Sequence, residues 1–237
     1  MDYIFNILDQ LLISTQDTFS YIFRILPAMV DGTKVTLMMF FATIALSLPL
    51  GLLLSLGRIS RFRLLNSAIG VYIWLFRGTP LMLQLLFVYF GLPIIPVIGE
   101  VLVLTAFQAA LLAFVLNYAA YFAEIFRGGI QSIERGQYEG AKALGMTYAQ
   151  MMRRIILPQV IKRVLPPVSN ETITLVKDTS LIYVLAMNDL LRTARGLVQR
   201  DFSLTPFIVA GVFYLLMTFV LTKIFARLEK RYAVYDE

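Results

Sequence analysis

The 237-residue sequence contains no cysteine and no histidine. The absence of cysteine excludes disulfides and thiolate metal ligands, and the absence of histidine removes the usual proton relay and the commonest metal ligand. Charged residues are also scarce, at 15%, against 59% hydrophobic residues and a mean hydropathy of +0.76. A soluble globule of this size needs more polar residues to cover its surface. The composition therefore predicts an integral membrane protein, with no metal site and no catalytic residues.

The sequence also lacks a GxxxxGK[ST] motif, so any ATP must be bound by another polypeptide. No repeat, Ser/Gly linker or block of charge divides the chain, which favours one membrane domain. The acidic N-terminal stretch MDYIFNILDQ lacks the basic region of a cleaved signal peptide. Residues 1–32 mix apolar with charged positions and predict an amphipathic helix lying on the membrane, with a sixth span as the alternative.

Long apolar stretches predict an all-α membrane protein with about five transmembrane helices. Residues 35–57 and 101–123 carry no charge, and each stretch is long enough to cross about 30 Å of hydrocarbon as a helix. The full set of predicted spans is 35–57, 66–97, 101–123, 164–187 and 202–222.

The second span is interrupted by Arg77-Gly78-Thr79-Pro80. Glycine and proline break the helix there, and an arginine at such a break faces protein or water because a charge facing lipid is costly. We interpret Arg77 chiefly as a structural residue. Contact with a substrate carboxylate is the alternative.

Most of the 21 lysine and arginine residues fall in loops 58–63 and 127–163 and in the tail that begins at Lys223. The positive-inside rule assigns these segments to the cytoplasm, which puts the N-terminus outside and the C-terminus inside. Topology therefore accounts for the net charge of +6. No nucleic-acid partner is predicted.

The loop from Glu139 to Pro158, EGAKALGMTYAQMMRRIILP, lies between two apolar blocks and is too polar to span a bilayer. It resembles the EAA loop of ABC importer permeases, in which EAA is followed by three residues, G, nine residues, I, one residue and LP. The matching residues are Glu139, Ala141, Gly145, Ile155, Leu157 and Pro158. Gly140 departs from the pattern, which has alanine there. The alternative is an ordinary amphipathic helix with a glycine cap at Gly145.

Three further stretches, 77–93, 121–146 and 165–181, are similar to permeases of the polar amino acid uptake branch of ABC importers. The resemblance covers residues 30–230. It implies the type I importer fold, with a transmembrane domain at 33–230.

The resemblance also implies that 139–158 contains a cytoplasmic coupling helix, and the positive-inside rule predicts that 231–237 is a cytoplasmic tail. The residues it assigns to contact with the ATPase are Glu139, Gly140, Ala141 and Gly145. The expected partners are two ATPase subunits, a second permease copy or a paralogue, an external binding protein, membrane lipid and the amino acid substrate. ATP and Mg²⁺ would be bound by the ATPase, so no cofactor is expected in this chain, which lies in the bacterial cytoplasmic membrane.

Two acidic residues in the predicted fourth span, 164–187, suggest a substrate site. Glu171 and Asp178 are seven positions apart, about 20° short of two helical turns, so both carboxylates lie on one face with Thr174 between them. Ionisable groups at membrane depth cost about 2.5 to 3.5 kcal/mol or more and normally face a cavity or a partner. The preceding Pro166-Pro167 predicts an opened helix whose free carbonyls can bind an ammonium group.

By resemblance, Glu171 and Asp178 contact the amino acid, and Asn117 faces them. Thr174 is predicted to join the site because it lies between the two carboxylates on the same helix face. The two carboxylates favour a cationic amino acid, that is arginine, lysine or histidine. Glutamine, glutamate and cystine are the alternatives, and a passive channel or secondary transporter is the contrasting class.

Each of these polar residues also has a structural interpretation. Asp178 can pair with Lys177 or Arg77 and only hold helices together. Glu124 is expected to pair with Arg127. Asn117 can serve as an interhelical hydrogen-bond donor.

Overall fold

The computed structural model describes residues 2–96, 99 and 103–232, with side chains from residue 17 onward. The helices are α1 Asp2–Ile59, α2 Arg63–Gly78, α3 Leu81–Leu86, α4 Ala106–Gln131, α5 Arg135–Ala143, α6 Tyr148–Met151, α7 Leu157–Asp178, α8 Leu190–Asp201 and α9 Thr205–Tyr232. Short π-helical segments at Phe87–Gly91 and Met152–Ile156 and 3-10 segments at Leu92–Ile94 and Thr179–Leu185 continue some of them. The all-α prediction is confirmed.

Helix α1 is continuous from Asp2 to Ile59, so no helix end separates residues 1–32 from the predicted first span. Lys34, which marked the predicted boundary, pairs with Asp31 at 2.7 Å on the exposed surface of the same helix. A pair three positions apart suits helical spacing, which explains why these charges do not end the helix. Residues 17–59 form a stretch long and apolar enough to cross a membrane.

Three helical stretches can each cross a membrane by length and composition: residues 17–59, α4 and α9. The bent pair of α2 with residues 81–94 is a fourth candidate. Helix α7 has 22 residues but carries charges along its length, among them Lys162, Glu171 and Asp178. Five spans therefore stay a prediction.

Helices α4 and α9 continue beyond the ends predicted at residues 123 and 222. The prediction ended each span at its first charged residue, whereas helices readily carry charges past the apolar core. Helix α4 begins with a capping box, in which the Gln108 N–H donates to Thr105 Oγ1 and the Thr105 N–H donates to Gln108 Oε1. The predicted start of this span, residue 101, lies outside the described residues.

Helix α7 runs through Pro166 and Pro167, where the sequence predicted an opened helix beginning near residue 164. A proline lacks the N–H that would bond the carbonyl four residues earlier, so the acceptors affected are those of Lys162 and Arg163. These carbonyls lie about two turns before Glu171. The prediction that the helix opens at these prolines is therefore wrong, and the binding of an ammonium group by these carbonyls stays a prediction.

Helix α4 forms the centre of the fold, with α1, α2 and α7 packed around it. Its small side chains allow close approach of these neighbours, which is the main route to tight helix packing in a membrane. The fully buried alanines are Ala109, Ala110, Ala113, Ala119, Ala120 and Ala123. Large rings of the same helix, including Phe114 and Phe122, fill the core against α1 and α7.

Gly51 of α1 packs tightly against α4. A Cβ at Gly51 would lie 2.7 Å from the Phe122 Cβ and 3.1 Å from the Ala119 carbonyl oxygen. Gly51→Ala is therefore expected to destabilise the folded chain by about 1 to 3 kcal/mol, although alanine is the better helix former. The matched control is Gly211→Ala on α9, where a Cβ meets nothing within 4 Å. Thermal unfolding of the full chain in detergent, followed by circular dichroism, measures both variants, and equal Tm values would contradict the prediction.

Helix α8 is fixed against α1 at both ends. At its start, the Leu190 N–H donates to Thr36 Oγ1 of α1 at 3.3 Å. The buried Asp189 carboxylate caps the same end of α8 by accepting hydrogen bonds from the Leu191 and Arg192 N–H groups, and burial raises the pKa of Asp189 to about 6. At its end, the Tyr21 hydroxyl donates to Asp201 at 2.7 Å. Hydrogen bonds from the Arg200 guanidinium and from this hydroxyl lower the pKa of Asp201 to about 2.

Candidate functional site

A bend of 105° separates α2 from the helical residues 81–94, at the Gly78-Thr79-Pro80 break predicted from the sequence. Gln84 holds the bend, because its amide nitrogen donates to the Phe76 carbonyl oxygen at 2.9 Å and to Thr79 Oγ1 at 2.8 Å. The Asn117 amide of α4 donates to the same Phe76 oxygen at 3.0 Å and to Gln84 Oε1 at 2.9 Å. Asn117 therefore ties α4 to the bend, which is the interhelical role considered for it.

The bend, α4 and α7 surround a cavity of about 510 Å³. Its lining residues are Arg77, Gly78, Thr79, Pro80, Leu81, Asn117, Tyr118, Tyr121, Glu171, Thr174 and Asp178. All four residues predicted to bind substrate thus come together at one cavity. Their role as substrate ligands stays a prediction.

The two carboxylates of α7 differ in their surroundings, although both are half-buried. Asp178 accepts a hydrogen bond of 2.7 Å from the Tyr118 hydroxyl. Within the part of the chain that the structure describes, no ion pair joins Asp178 to Lys177 or Arg77. Within that same part, Glu171 has neither a hydrogen bond nor an ion pair. Glu171 is therefore the carboxylate that is free to meet a ligand.

The cavity also contains two aromatic residues that the sequence analysis did not single out. Tyr118 is 2% exposed and stacks on Phe114, with ring centroids 6.3 Å apart, so that its hydroxyl reaches Asp178. Tyr121 lies beneath the Arg77 guanidinium, 5.2 Å from its ring centroid. In an apolar stretch, the sequence does not by itself distinguish either tyrosine from a residue that packs in the core. The one available signal was the position of Tyr118 next to the polar Asn117.

The expected pairing of Glu124 with Arg127 is confirmed. The Arg127 Nε donates to the Glu124 carboxylate at 3.0 Å, with a second contact from its Nη2. The Arg127 Nη1 also donates to Gln131 Oε1 at 2.5 Å. The Glu124 carboxylate and the Arg127 guanidinium both find their hydrogen-bond partners within α4, so Glu124 is a structural residue.

The segment predicted to contain the coupling helix folds as two short helices joined by a tight turn. Gly145 follows α5 with φ +72°, the left-handed conformation that glycine adopts without strain. The Gly145 N–H donates to the Lys142 carbonyl at 2.9 Å, and the Met146 N–H donates to the Ala141 carbonyl at 3.1 Å. These two bonds form a Schellman motif, so the glycine cap considered from the sequence is present.

The four residues predicted to contact the ATPase divide into two groups. Glu139, Gly140 and Gly145 are exposed. Ala141 is 2% exposed and belongs to the apolar cluster that joins α5 to α6 and the start of α7. Ala141 therefore presents almost no surface to a partner. Its small side chain instead lets α5 pack on the chain beneath it.

Two large apolar side chains on either side of the Gly145 turn are strongly exposed. Leu144 is 80% exposed and Tyr148 is 72% exposed. Apolar side chains grouped on an exposed turn are typical of a surface that contacts another protein. The sequence analysis missed them, because the stretch from Leu144 to Tyr148 also contains Met146 and gives no signal that these two side chains are exposed.

The sequence profile of one family, binding-protein-dependent transport system inner membrane component, matches residues 47–234. The arginine transport system permease protein of Bacillus subtilis (strain 168) is 39% identical over 207 residues, which cover 87% of this chain and 93% of that protein. The glutamine transport system permease protein of Escherichia coli (strain K12) is 36% identical over 217 residues, which cover 91% of this chain and 98% of that protein.

A solved structure described as an amino acid ABC transporter with histidines has the same fold as this chain. The TM-score is 0.81 at 34% sequence identity, and the match covers 90% of this chain and 98% of the other.

Proposed function

The chain belongs to the family of binding-protein-dependent transport system inner membrane components, and on that premise we propose that it is the permease subunit of an ATP-driven importer of a polar amino acid. The basic loops at 58–63 and 127–163 support an orientation with the N-terminus outside and the C-terminus in the cytoplasm.

The observation that carries the proposal is the cavity at the bend between α2 and α3. It has about 510 Å³, and its charged lining consists of Glu171, Asp178 and the single guanidinium of Arg77. Two carboxylates against one cation favour a ligand with net positive charge. The α-ammonium group and a cationic side chain would each meet a carboxylate, and Thr174 and Asn117 line the same space.

The substrate is therefore proposed to be arginine, lysine or histidine. One relative is named for arginine and another for glutamine, so similarity alone supports either a cationic or a neutral substrate. The lining charges are what favour the cationic class over glutamine, glutamate or cystine. Arg77 stacks on Tyr121 and retains donors that could meet the substrate α-carboxylate.

The turn at Gly145 is proposed to be the contact through which ATP hydrolysis in a separate ATPase drives transport. The contact surface combines Glu139, Gly140 and Gly145 with the exposed Leu144 and Tyr148. An apolar pair on a short rigid turn suits insertion into a groove of a separate ATPase, which would bind ATP and Mg²⁺. The full complex would contain two such ATPase subunits, a second permease copy or a paralogue, and an external binding protein.

The test is ATP hydrolysis by the full chain reconstituted in vesicles with its ATPase and binding protein. Arginine, lysine, histidine, glutamine, glutamate and cystine are compared at equal concentration. Stimulation by a cationic amino acid is expected. Stimulation by a neutral or acidic amino acid alone would support the importer function but would contradict the proposal of a cationic substrate. Failure of any ATPase to assemble with the chain would favour a passive channel or a secondary transporter.

A further inference from the structure

A cavity of about 640 Å³ lies between the end of α1 and the first half of α2, apart from the proposed substrate site. Three arginines line it, Arg58, Arg61 and Arg63, and no carboxylate of the described residues does. Asn66, Ser67 and Trp74 complete its polar and aromatic lining. Glu124 of α4 is an acidic group that the charge of Arg58 reaches, and it is already paired with Arg127. Three arginines around a cavity that no carboxylate lines indicate an anionic ligand.

The Arg58 guanidinium is held in place and does not project freely from the surface. It donates a hydrogen bond to Asn66 Oδ1. It also crosses α2 at Gly70, where a Cβ would lie only 3.2 Å from the Arg58 Cζ. The absence of a side chain at Gly70 thus leaves room for the flat guanidinium. An arginine held in this way has lost part of its side-chain entropy before any ligand binds.

The start of α2 adds to the positive field of the cavity. The first turn of α2, which begins at Arg63, contains no acidic residue and has no side-chain cap. The first N–H groups of a helix lack intrahelical partners and carry a partial positive charge. This end of α2 therefore favours an anion together with the three arginines.

Large apolar side chains on the end of α1 and on α2 are exposed, and two of them, Val71 and Trp74, line this charged cavity. The most exposed on the adjoining turns of α1 and α2 include Leu53 at 65%, Leu64 at 81%, Val71 at 60% and Trp74 at 73%. In a helix that spans a membrane, such side chains contact acyl chains. A ligand that fits both features has an anionic head and an apolar tail. Basic pockets between transmembrane helices at the cytoplasmic side are suited to anionic lipid headgroups.

We propose that this cavity binds the headgroup phosphate of an anionic phospholipid, whose acyl chains lie along the exposed apolar surface of α1 and α2. By the positive-inside rule, the lipid belongs to the cytoplasmic leaflet.

Trp74 is the only tryptophan of the chain and lines the cavity, so its fluorescence reports on lipid bound there. The full chain is reconstituted in vesicles that contain either phosphatidylglycerol or phosphatidylcholine with brominated acyl chains, which quench tryptophan. At equal mole fraction, brominated phosphatidylglycerol is expected to bind near Trp74 at least about fivefold more strongly, the contribution of roughly one basic residue at an anionic surface. Equal quenching by the two lipids would overturn the proposal.

The double variant Arg61→Gln with Arg63→Gln is expected to lower this preference by at least about fivefold, because two of the three positive charges are removed. Arg58 is kept in this variant, since it packs on α2. The matched control, Lys230→Gln with Arg231→Gln, removes the same charge at the end of α9 and is expected to retain the preference. Equal loss in both double variants would mean that the general charge of the chain, and not this cavity, selects the lipid.

Inorganic phosphate at constant ionic strength separates a lipid from a soluble anion. It is expected to leave the preference for phosphatidylglycerol within about twofold, because free phosphate lacks the acyl chains that contact α1 and α2. Loss of the preference at millimolar phosphate would overturn the proposal in favour of a site for soluble phosphate.

Discussion

Uptake of a cationic amino acid by the assembled importer is expected to fall by about ten- to a hundredfold when Glu171 is replaced by glutamine. Glu171 lines the cavity and has no hydrogen bond or ion pair within the described chain, so its charge is available to the ligand. Glutamine preserves the shape of the side chain but removes that charge. Hydrogen bonds to charged groups contribute about 1.5 to 3 kcal/mol, and each 1.4 kcal/mol corresponds to a factor of about ten.

Asp178→Asn is expected to cause a smaller loss, in the same direction. The asparagine oxygen can still accept the hydrogen bond of the Tyr118 hydroxyl, so the packing around that residue is retained. The matched control is Glu124→Gln, which removes an equal charge from a carboxylate already paired with Arg127 outside the cavity. Uptake of labelled arginine and glutamine into vesicles is the measurement. Equal losses for the two substrates would show that neither Glu171 nor Asp178 meets the cationic side chain of arginine.

The cavity could be anticipated from the sequence because its key elements follow from local rules. Glu171, Thr174 and Asp178 share one helix, and helical periodicity alone places them on the same face. The break at Gly78-Thr79-Pro80 follows from the conformational limits of glycine and proline. Both predictions depend on residues close in sequence, and in both the structure agrees.

Contacts between distant segments could not be anticipated in this way. The hydrogen bond from Tyr118 to Asp178 joins α4 to α7 across 60 residues, and no pattern in either helix specifies it. The burial of Ala141 likewise depends on how α5 packs on the chain that follows it. A motif marks Ala141 as important without showing whether it faces a partner or its own chain.

The predicted ends of spans differ from the helix ends for one physical reason. The sequence analysis ended spans at charged residues, whereas Lys34 in α1 and Glu124 in α4 are both internal to long helices. Hydropathy marks how far the hydrocarbon core extends, whereas a helix ends where its backbone conformation and capping change. The end of a membrane span and the end of a helix therefore need not fall at the same residue.

Gly145→Val is expected to abolish most of the stimulation of ATP hydrolysis by substrate, while the chain is still produced and inserted in the membrane. The left-handed conformation at Gly145 costs a residue with a side chain about 1 to 2 kcal/mol, and a β-branched residue fits it worst. Loss of the turn would displace Leu144 and Tyr148, the exposed apolar pair that we assign to the ATPase contact. A passive channel would instead transport normally with this substitution.

A series at Gly145 distinguishes the conformation of the turn from direct contact with the ATPase. A Cβ there meets nothing within 4 Å in this chain, so the cost within the chain arises from φ alone. If the conformation is what matters, coupling should decrease in the order Gly145→Asn, Gly145→Ala, Gly145→Val, because asparagine tolerates the left-handed region best. Equal failure of all three would mean that the ATPase surface lies directly against Gly145 and leaves no room for a Cβ. Gly136→Ala in α5, where a Cβ also meets nothing within 4 Å, is the control and is expected to couple normally. If Gly145→Val coupled as well as the parent chain, the assignment of this turn as the contact through which the ATPase drives transport would be contradicted.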